Sequence, residues 1–287
     1  MTFPSQEPVF LFPCKAKKYL SGFMIKFKVM LLSLIVLSVT AQSQEIVKEK
    51  TKGRFYFAWG YNKDYFSKSD LHFYDEGSDK YDFTLYGVEA SDRPGYDQIL
   101  NSDISIPQYV YRLGYYFNDA NDLGIEINFD HTKYVMHDYQ MAHLTGFIHE
   151  QYYDVDTMIT PGFLRFEHTN GANFLMVNFL KKHKFHSSKN NKHVFGVVGK
   201  IGAGVVIPKT DVTLFGKELD NVFHVAGYVT GIETGLRYEY GKYFFSEGMV
   251  KGTFANFNNV LTVGSGKAKH TFYTLELILS VGVQFPL

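Results

Sequence analysis

The chain has 287 residues, with 29 basic and 29 acidic side chains, 45% hydrophobic residues and one cysteine. Zero formal net charge argues against a general nucleic-acid binder, which needs a basic surplus to contact phosphates. A single cysteine excludes a disulfide scaffold and a cysteine-ligated zinc or iron–sulfur site. The 25 glycines beside 21 tyrosines and 27 phenylalanines are typical of an all-β protein, because aromatic side chains fill pleated surfaces and glycine marks bulges.

Residues 24–41 have the pattern of a secretory signal peptide. Lys26 and Lys28 precede an apolar run from Val29 to Val39, and small side chains follow at the cleavage subsites. The run is too short to cross about 30 Å of hydrocarbon as a helix, and no later segment reaches the ~20 apolar residues needed. We therefore expect an exported chain without a transmembrane helix.

The position of the signal peptide indicates where the protein begins. Signal peptides start at the first translated residue, so Met24 is the expected initiator and 1–23 an upstream extension; a long n-region is the alternative. Cys14 precedes the apolar run and cannot anchor a lipoprotein. The mature chain, 42–287, is then free of cysteine, with a periplasmic segment at 42–52 followed by one β-domain at 53–287.

Alternation with a period of two residues recurs along the mature chain and predicts strands. From Tyr273 to Phe285 the odd positions are large and apolar, whereas the even positions are polar or small. The same contrast predicts eight strands in all, near 53–62, 104–117, 123–136, 172–185, 193–207, 222–240, 243–257 and 270–285.

The connections between these strands alternate in length. Those at 118–122, 186–192 and 241–242 are short and built from turn formers, whereas 63–103, 137–171, 208–221 and 258–269 are long. Short turns at one end and long loops at the other are typical of a closed, up-and-down outer-membrane β-barrel with both chain ends in the periplasm. In hydrocarbon a sheet must close, because no water pairs with an open edge.

Alternation alone leaves open which face of the sheet looks outward, since a soluble lipocalin-like barrel buries its apolar face. The polar face favours a membrane barrel, because its charges are few and balanced in sign, as a narrow interior requires. Aromatic residues also gather at strand ends, as in interfacial girdles. The predicted interior charges are Arg54, Arg112, Glu126, Asp130, Lys200, Glu233, Arg237, Glu239, Glu247, Lys251 and Glu276.

The signal peptide, the eight strands and the terminal segment TLELILSVGVQF resemble the eight-stranded outer-membrane barrels of the OmpA and OmpX kind. Phe285 resembles the aromatic C-terminal signal of that class, although Pro286 and Leu287 follow it. The stretches RFYFAWGYN, SDLHFYD, YDFTLYGV, ISIPQYVYRLGYYF and DHTKYV resemble a family of uncharacterised barrels of diderm bacteria. The resemblance implies location in the outer membrane, with membrane lipid, lipopolysaccharide and the assembly machinery as partners. It implies no activity.

Two short motifs are candidates for catalysis. Asp130 and His131 lie near the outer end of a strand, where outer-membrane proteases place an Asp–His pair that activates water. Their parity opposes this, because Asp130 points inward when His131 points outward. His186-Ser187-Ser188 is similar to the His-x-Ser pairing of lipid A deacylases, but it falls in a periplasmic turn.

Four histidines recur every six residues, at His131, His137, His143 and His149. Even spacing would align them on one strand face, where they could bind a divalent cation. Chance in a loop rich in Tyr and Asp is the alternative, and we expect no metal site and no cofactor.

Charge separates the two ends of the predicted barrel. Residues 62–103 carry ten acids and four bases, and 137–170 carry five acids and one base, whereas 181–192 carries five lysines and no acid. The outer loops could therefore attract a cation or a basic partner. In the first loop, alternation around 71–85 predicts a hairpin, which either offers an edge for strand addition or forms two further membrane strands.

Together these patterns predict a monomeric, eight-stranded outer-membrane barrel, with ten strands as the alternative. Eight strands leave an interior just wide enough for side chains, so we expect a plugged barrel without a pore. The predicted role is structural or surface-interacting, through the acidic loops, and not enzymatic. The alternatives are an outer-membrane hydrolase acting on lipid or peptide, a small-solute channel and a soluble periplasmic binder.

Overall fold

The computed structural model describes residues 53–77, 79–93, 95, 108–117 and 122–287. The signal peptide, the upstream extension, the segment at 42–52 and the turn at 118–121 lie outside the described residues. Within them the secondary structure consists of seventeen strands. They are β1 Arg54–Phe66, β2 Ser69–Asp75, β3 Tyr81–Val88, β4 Ala90–Asp92, β5 Tyr109–Tyr116, β6 Leu123–His131, β7 Tyr134–Met136, β8 Gln140–Ile148, β9 Gln151–Ile159, β10 Leu164–His168, β11 Phe174–Ser187, β12 His193–Val206, β13 Asp211–Leu214, β14 Lys217–Asp220, β15 Gly227–Tyr240, β16 Phe244–Leu261 and β17 Lys267–Pro286.

Eight antiparallel strands form a closed ring in the order β1, β5, β6, β11, β12, β15, β16 and β17. The ring closes where β1 pairs with β17, with Phe55 opposite Phe285 and Trp59 opposite Val281. Closure gives every strand of the ring two neighbours, so it leaves no open edge. The prediction of eight barrel strands is confirmed.

The apolar face of each ring strand points outward. Along β17, Tyr273, Leu277, Leu279 and Val281 are exposed, while the alternate residues, such as Glu276, are buried. The outer surface of the ring therefore carries the large apolar side chains, and the inner surface carries the charges. A soluble barrel would require the opposite arrangement, so the lipocalin-like alternative is wrong.

Two ring strands are much longer than a bilayer requires. The lipid-facing stretch of β17 runs from Tyr273 to Phe285, which at the usual tilt of about 40° crosses a hydrocarbon layer of about 25 Å. β16 and β17 continue beyond it, so that Leu261 lies opposite Lys267. The expected long loop at 258–269 is therefore wrong, because both strands extend into it and only a tight turn remains.

A second part of the sheet rises from the outer end of the ring. β17 pairs with β2 through Ala268 and Phe73, and the sheet continues through β3 and β8 to β9. The hairpin predicted around 71–85 corresponds to β2 and β3. It pairs with a part of β17 beyond the lipid-facing stretch and does not enter the ring, so the ten-strand alternative is wrong.

A smaller sheet faces this outer sheet, with the order β14, β13, β10, β7 and β4. The segments predicted as loops at 137–171 and 208–221 are thus largely strands. Phe73 of β2 contacts Phe166 of β10 edge to face, with ring centroids 5.6 Å apart. The apolar sides of the two sheets enclose one buried cluster, which lies over the outer end of the barrel and includes Leu85, Leu144 and Val212.

The opposite end of the barrel carries short turns and the first and last residues of the described barrel. Leu287 N–H donates to the carbonyl of Gly53, which brings the start and the end of the described barrel together. Gly241, with φ of 64°, permits the tight turn between β15 and β16. The placement of short turns and termini at one end agrees with the predicted topology.

Candidate functional site

The barrel interior is filled by ion pairs in layers, the lowest of which surrounds Arg237. Its guanidinium donates to Glu239 at 3.0 Å, to Glu247 at 2.8 Å and to Gln284 at 2.9 Å. The same group lies 3.5 Å from the ring centroid of Phe245. A guanidinium held by several hydrogen-bond acceptors and an aromatic ring is fixed in position. Arg237 and its partners therefore fill the interior near this end of the barrel.

The middle layer connects four strands. Lys200 on β12 contacts Glu126 on β6 at 2.9 Å and Glu233 on β15 at 3.1 Å. Arg112 on β5 reaches Glu233 at 3.4 Å. All four side chains are fully enclosed, so each charge depends on the others for compensation.

The upper layer lies next to the apolar outer cluster. Asp130 is shared between Arg112, at 3.1 Å, and Lys251. Lys251 also lies 3.9 Å from Glu276. Asp64 accepts a hydrogen bond from the side chain of Gln108 at 2.8 Å.

The structure places ten of the eleven predicted interior charges among the buried side chains of the ring. Arg54 lies at the periplasmic rim, where it pairs with Asp122 at 2.7 Å. Two buried charges that the sequence analysis did not assign to the interior are Lys182, which pairs with Glu239, and Asp64. Strand parity along β11 could have revealed Lys182, whereas Asp64 was missed because β1 extends further than predicted.

Above these layers the buried apolar cluster covers the barrel. Tyr134 stacks on Phe272 with centroids 5.0 Å apart, and Phe257 stacks on Phe272 at 5.4 Å. The path from one end of the barrel to the other thus crosses first paired charges and then packed aromatic rings.

We expect the purified protein in a planar bilayer to show no large, stable conductance, because the described side chains of the charged layers and of the aromatic cluster are buried against one another. The measurement is single-channel current at fixed voltage. A preparation of an open outer-membrane porin under the same conditions is the positive control. Regular, long-lived current steps from this protein would contradict the filled interior.

Two buried histidines lie in the aromatic cluster. His168 Nε2 and His270 Nε2 are 3.3 Å apart, and the ring of His168 stacks on Phe257. Thr210 Oγ1 lies 3.0 Å from His168 Nδ1. Burial lowers the pKa of His168 to about 3 and holds the pKa of His270 well below its usual value, so both rings are neutral at pH 7.

The structure places Asp130 and His131 in different environments. Asp130 serves the interior ion pairs, whereas His131 is buried against Tyr109 and its Nδ1 lies 2.7 Å from Asn173 Oδ1. His131 points outward as its parity predicts, but its ring is buried. His186 and Ser187 end β11 beside the short turn, with exposed side chains.

The four histidines spaced by six residues do not form a ladder, so the alignment predicted from their spacing is wrong. His131 ends β6, His137 precedes the β8 strand, His143 lies within β8 and His149 lies in the turn after it. The chain bends between these positions, which destroys the common face. Among the described residues, no group of three or more His, Cys, Asp or Glu could hold a metal ion.

The outward face of the outer sheet carries exposed acids. His143 lies between Asp154, at 3.0 Å, and Asp156, at 2.8 Å. The hydrogen bond with Asp156 and the nearby charge of Asp154 raise the pKa of His143. On β3, Asp82 lies 2.7 Å from His72.

The outer sheet ends at β9, which has no further neighbour within the described part of the chain. β8 and β9 are joined by the two-residue turn His149-Glu150, whose φ values of 50° and 70° are those of a tight hairpin. In such a hairpin the flanking pair, Ile148 and Gln151, exchanges backbone hydrogen bonds. Every second residue of β9 therefore directs its backbone groups away from β8.

No helix in the described residues is long and apolar enough to cross a membrane. The closed ring with an apolar exterior and a paired, buried polar interior defines the class: the chain is a membrane-spanning β-barrel of the outer-membrane type. No protein-family model matches the chain, and no curated protein matches it either.

Several solved structures are similar to this chain. Neisserial surface protein A is 14% identical, with a TM-score of 0.31, over 80% of this chain and 97% of its own. The attachment invasion locus protein Ail of Yersinia pestis is 12% identical, with a TM-score of 0.33, over 82% and 99%. OprG from Pseudomonas aeruginosa is 14% identical, with a TM-score of 0.37, over 85% and 100%.

Proposed function

We propose that this protein is a non-enzymatic surface-interaction protein of the outer membrane, in which the filled barrel anchors an extracellular sheet that binds an extended partner segment. The observation that carries the proposal is the free edge of β9. The sheet stands on the outer end of the ring, away from the short turns, and the edge of β9, free among the described residues, is therefore presented to the cell exterior.

The backbone of β9 supplies the binding groups. Tyr139 N–H donates to the carbonyl of Ile159, so the backbone of Ile159 faces β8. By alternation, the N–H and C=O groups of Tyr152, Asp154, Asp156 and Met158 face the free edge. A partner strand that pairs there would gain main-chain hydrogen bonds along the length of β9.

The side chains beside this edge favour one kind of partner. Asp154 and Asp156 are mostly exposed, with side-chain exposures of 61% and 77%. Exposed apolar side chains flank them, among them Tyr152 and Met158. A partner segment that alternates basic and apolar residues would match both features.

The interior supports the non-enzymatic part of the proposal. An enzyme needs a nucleophile and a base within hydrogen-bond reach, with room for substrate. The charged side chains of the barrel interior are enclosed and lie against opposite charges or amides, and the buried His168–His270 pair is packed among aromatic rings. The barrel thus acts as an anchor for the outer sheet.

The test replaces one residue at the free edge. Asp156→Pro removes an N–H that faces away from β8, so it blocks partner pairing and leaves the β8–β9 hairpin intact. We expect this variant to bind a fluorescent peptide of alternating lysine and valine about tenfold more weakly than the parent, since at least one hydrogen bond is lost and the added strand is displaced. Fluorescence anisotropy with the full chain in nanodiscs measures the affinity.

Asp156→Ala is the matched control, because it loses the same carboxylate and keeps the N–H. It should weaken binding only about twofold to threefold, through the lost charge. An alternating glutamate and valine peptide should bind poorly to all three proteins. Equal affinity of the proline and alanine variants for the basic peptide would refute pairing at this edge.

A further inference from the structure

The lipid-facing surface of the barrel carries an apolar groove near its periplasmic end. Its volume is about 520 Å³. The residues that line it include Ser246, Val281, Trp59, Tyr238, Phe244 and Tyr240.

The register of the sheet explains why a groove forms there. Tyr238, Ser246, Val281 and Trp59 lie opposite one another on four consecutive strands, so they form one row across the outer face. The side chains at the two ends of the row, Tyr238 and Trp59, are large, and those in the middle, Ser246 and Val281, are smaller. Because side chains of one row project in the same direction, the two aromatic residues stand as walls above a low floor.

The mouth of the groove is cationic. Lys192 Nζ lies 5.1 Å from the ring centroid of Tyr240, and Lys242 follows two residues after Tyr240 in the β15–β16 turn. Both lysines are exposed. An apolar groove with an exposed ammonium group beside Tyr240, one of its lining residues, matches an amphiphile with an anionic head.

We propose that this groove binds a single phospholipid of the periplasmic leaflet, with an acyl chain between Trp59 and Tyr238 and its phosphate against Lys192 and Lys242. The depth of the groove agrees with that leaflet, because its walls lie at the short-turn end of the ring. A second copy of the chain fits less well. A two-fold contact across this groove would bring two pairs of lysines together.

Trp59 is the only tryptophan of the chain, so its fluorescence reports occupancy of the groove. The protein is placed in vesicles that contain phosphatidylcholine and phosphatidylglycerol, with bromine on the acyl chains of one lipid at a time. Bromine quenches tryptophan on contact. We expect brominated phosphatidylglycerol to occupy the groove about tenfold more strongly than its mole fraction predicts, because two lysines attract its head group.

Two variants test the two parts of the site. Lys192→Glu with Lys242→Glu should abolish the preference for phosphatidylglycerol, whereas Ser246→Leu should fill the floor and lower quenching by both brominated lipids. Gly199→Leu is the matched control, since Gly199 also lies on the outer face, a Cβ there meets no atom within 4 Å, and it is remote from Trp59. This variant should quench like the parent.

Equal quenching by the two brominated lipids in the parent, unchanged by the lysine reversals, would overturn the proposal. A dimer in nanodiscs that Ser246→Leu dissociates would also overturn it, in favour of a second copy as the occupant. Retention of one phospholipid per barrel in native mass spectrometry, lost in Ser246→Leu and kept in Gly199→Leu, would support it.

Discussion

Replacement of Arg112 by methionine is expected to lower the free energy of unfolding of the barrel by about 3–5 kcal/mol. Arg112 is enclosed in the ring and contacts Asp130 at 3.1 Å and Glu233 at 3.4 Å. Its loss leaves carboxylates in a closed space with one fewer cation. The measurement is urea unfolding in lipid vesicles, followed by the fluorescence of Trp59.

A second substitution distinguishes charge from packing. Asp130→Asn added to Arg112→Met should restore part of the stability, so that the double variant loses about 1–3 kcal/mol less than the sum of the two single variants. Leu113→Met is the control, because Leu113 is the neighbouring lipid-facing residue and its replacement conserves volume. Strict additivity of Arg112→Met and Asp130→Asn would show that the interior charges do not depend on one another.

The second large effect is a loss of stability of the outer cluster in acid. His168 and His270 are buried and neutral, whereas in the unfolded chain each binds a proton below pH of about 6.5. The folded pKa of each histidine is depressed, to about 3 for His168. The free energy of unfolding is therefore unaffected by these histidines above their unfolded pKa, and it falls as pH decreases below that value. Each histidine then contributes a loss of about 1.4 kcal/mol per pH unit.

Between pH 6.5 and pH 4.5 the two histidines together should remove about 5 kcal/mol. His270→Phe should reduce this slope by about half, because phenylalanine fits among the surrounding rings and does not titrate. His186→Phe, at an exposed position, should leave the slope unchanged. Urea unfolding at several pH values measures it, and a slope that is the same for parent and His270→Phe would contradict the account.

The architecture of the ring could be predicted from the sequence, because the side-chain direction of a strand reverses at every residue. The parity of Tyr273 to Phe285 was enough to separate a lipid-facing from an enclosed face. Composition made the enclosed face recognisable, since charges of both signs on one narrow face must pair. Strand number followed from the same alternation, and the structure agrees with it.

The strands of the extracellular half were harder to predict from the sequence, since loops and outer strands share the same residue types. Residues 140–159 are rich in His, Tyr and Asp, and their sequence predicts part of a long acidic loop, whereas in the structure they form β8 and β9. Their strand character depends on pairing with β3, which lies more than fifty residues earlier. The spacing of His131, His137, His143 and His149 was misleading for the same reason, because turns interrupt the segment.

The sequence by itself determined the class of fold and the inward or outward direction of each barrel side chain, because both depend only on local alternation. Tertiary structure alone decided which charges meet, as with Arg112 and Glu233, since strands distant in sequence become neighbours only when the ring closes. It also decided that β9 has an edge without a neighbour among the described strands and that a groove lies beside Trp59. Register between strands sets both features, and register depends on contacts that no single segment contains.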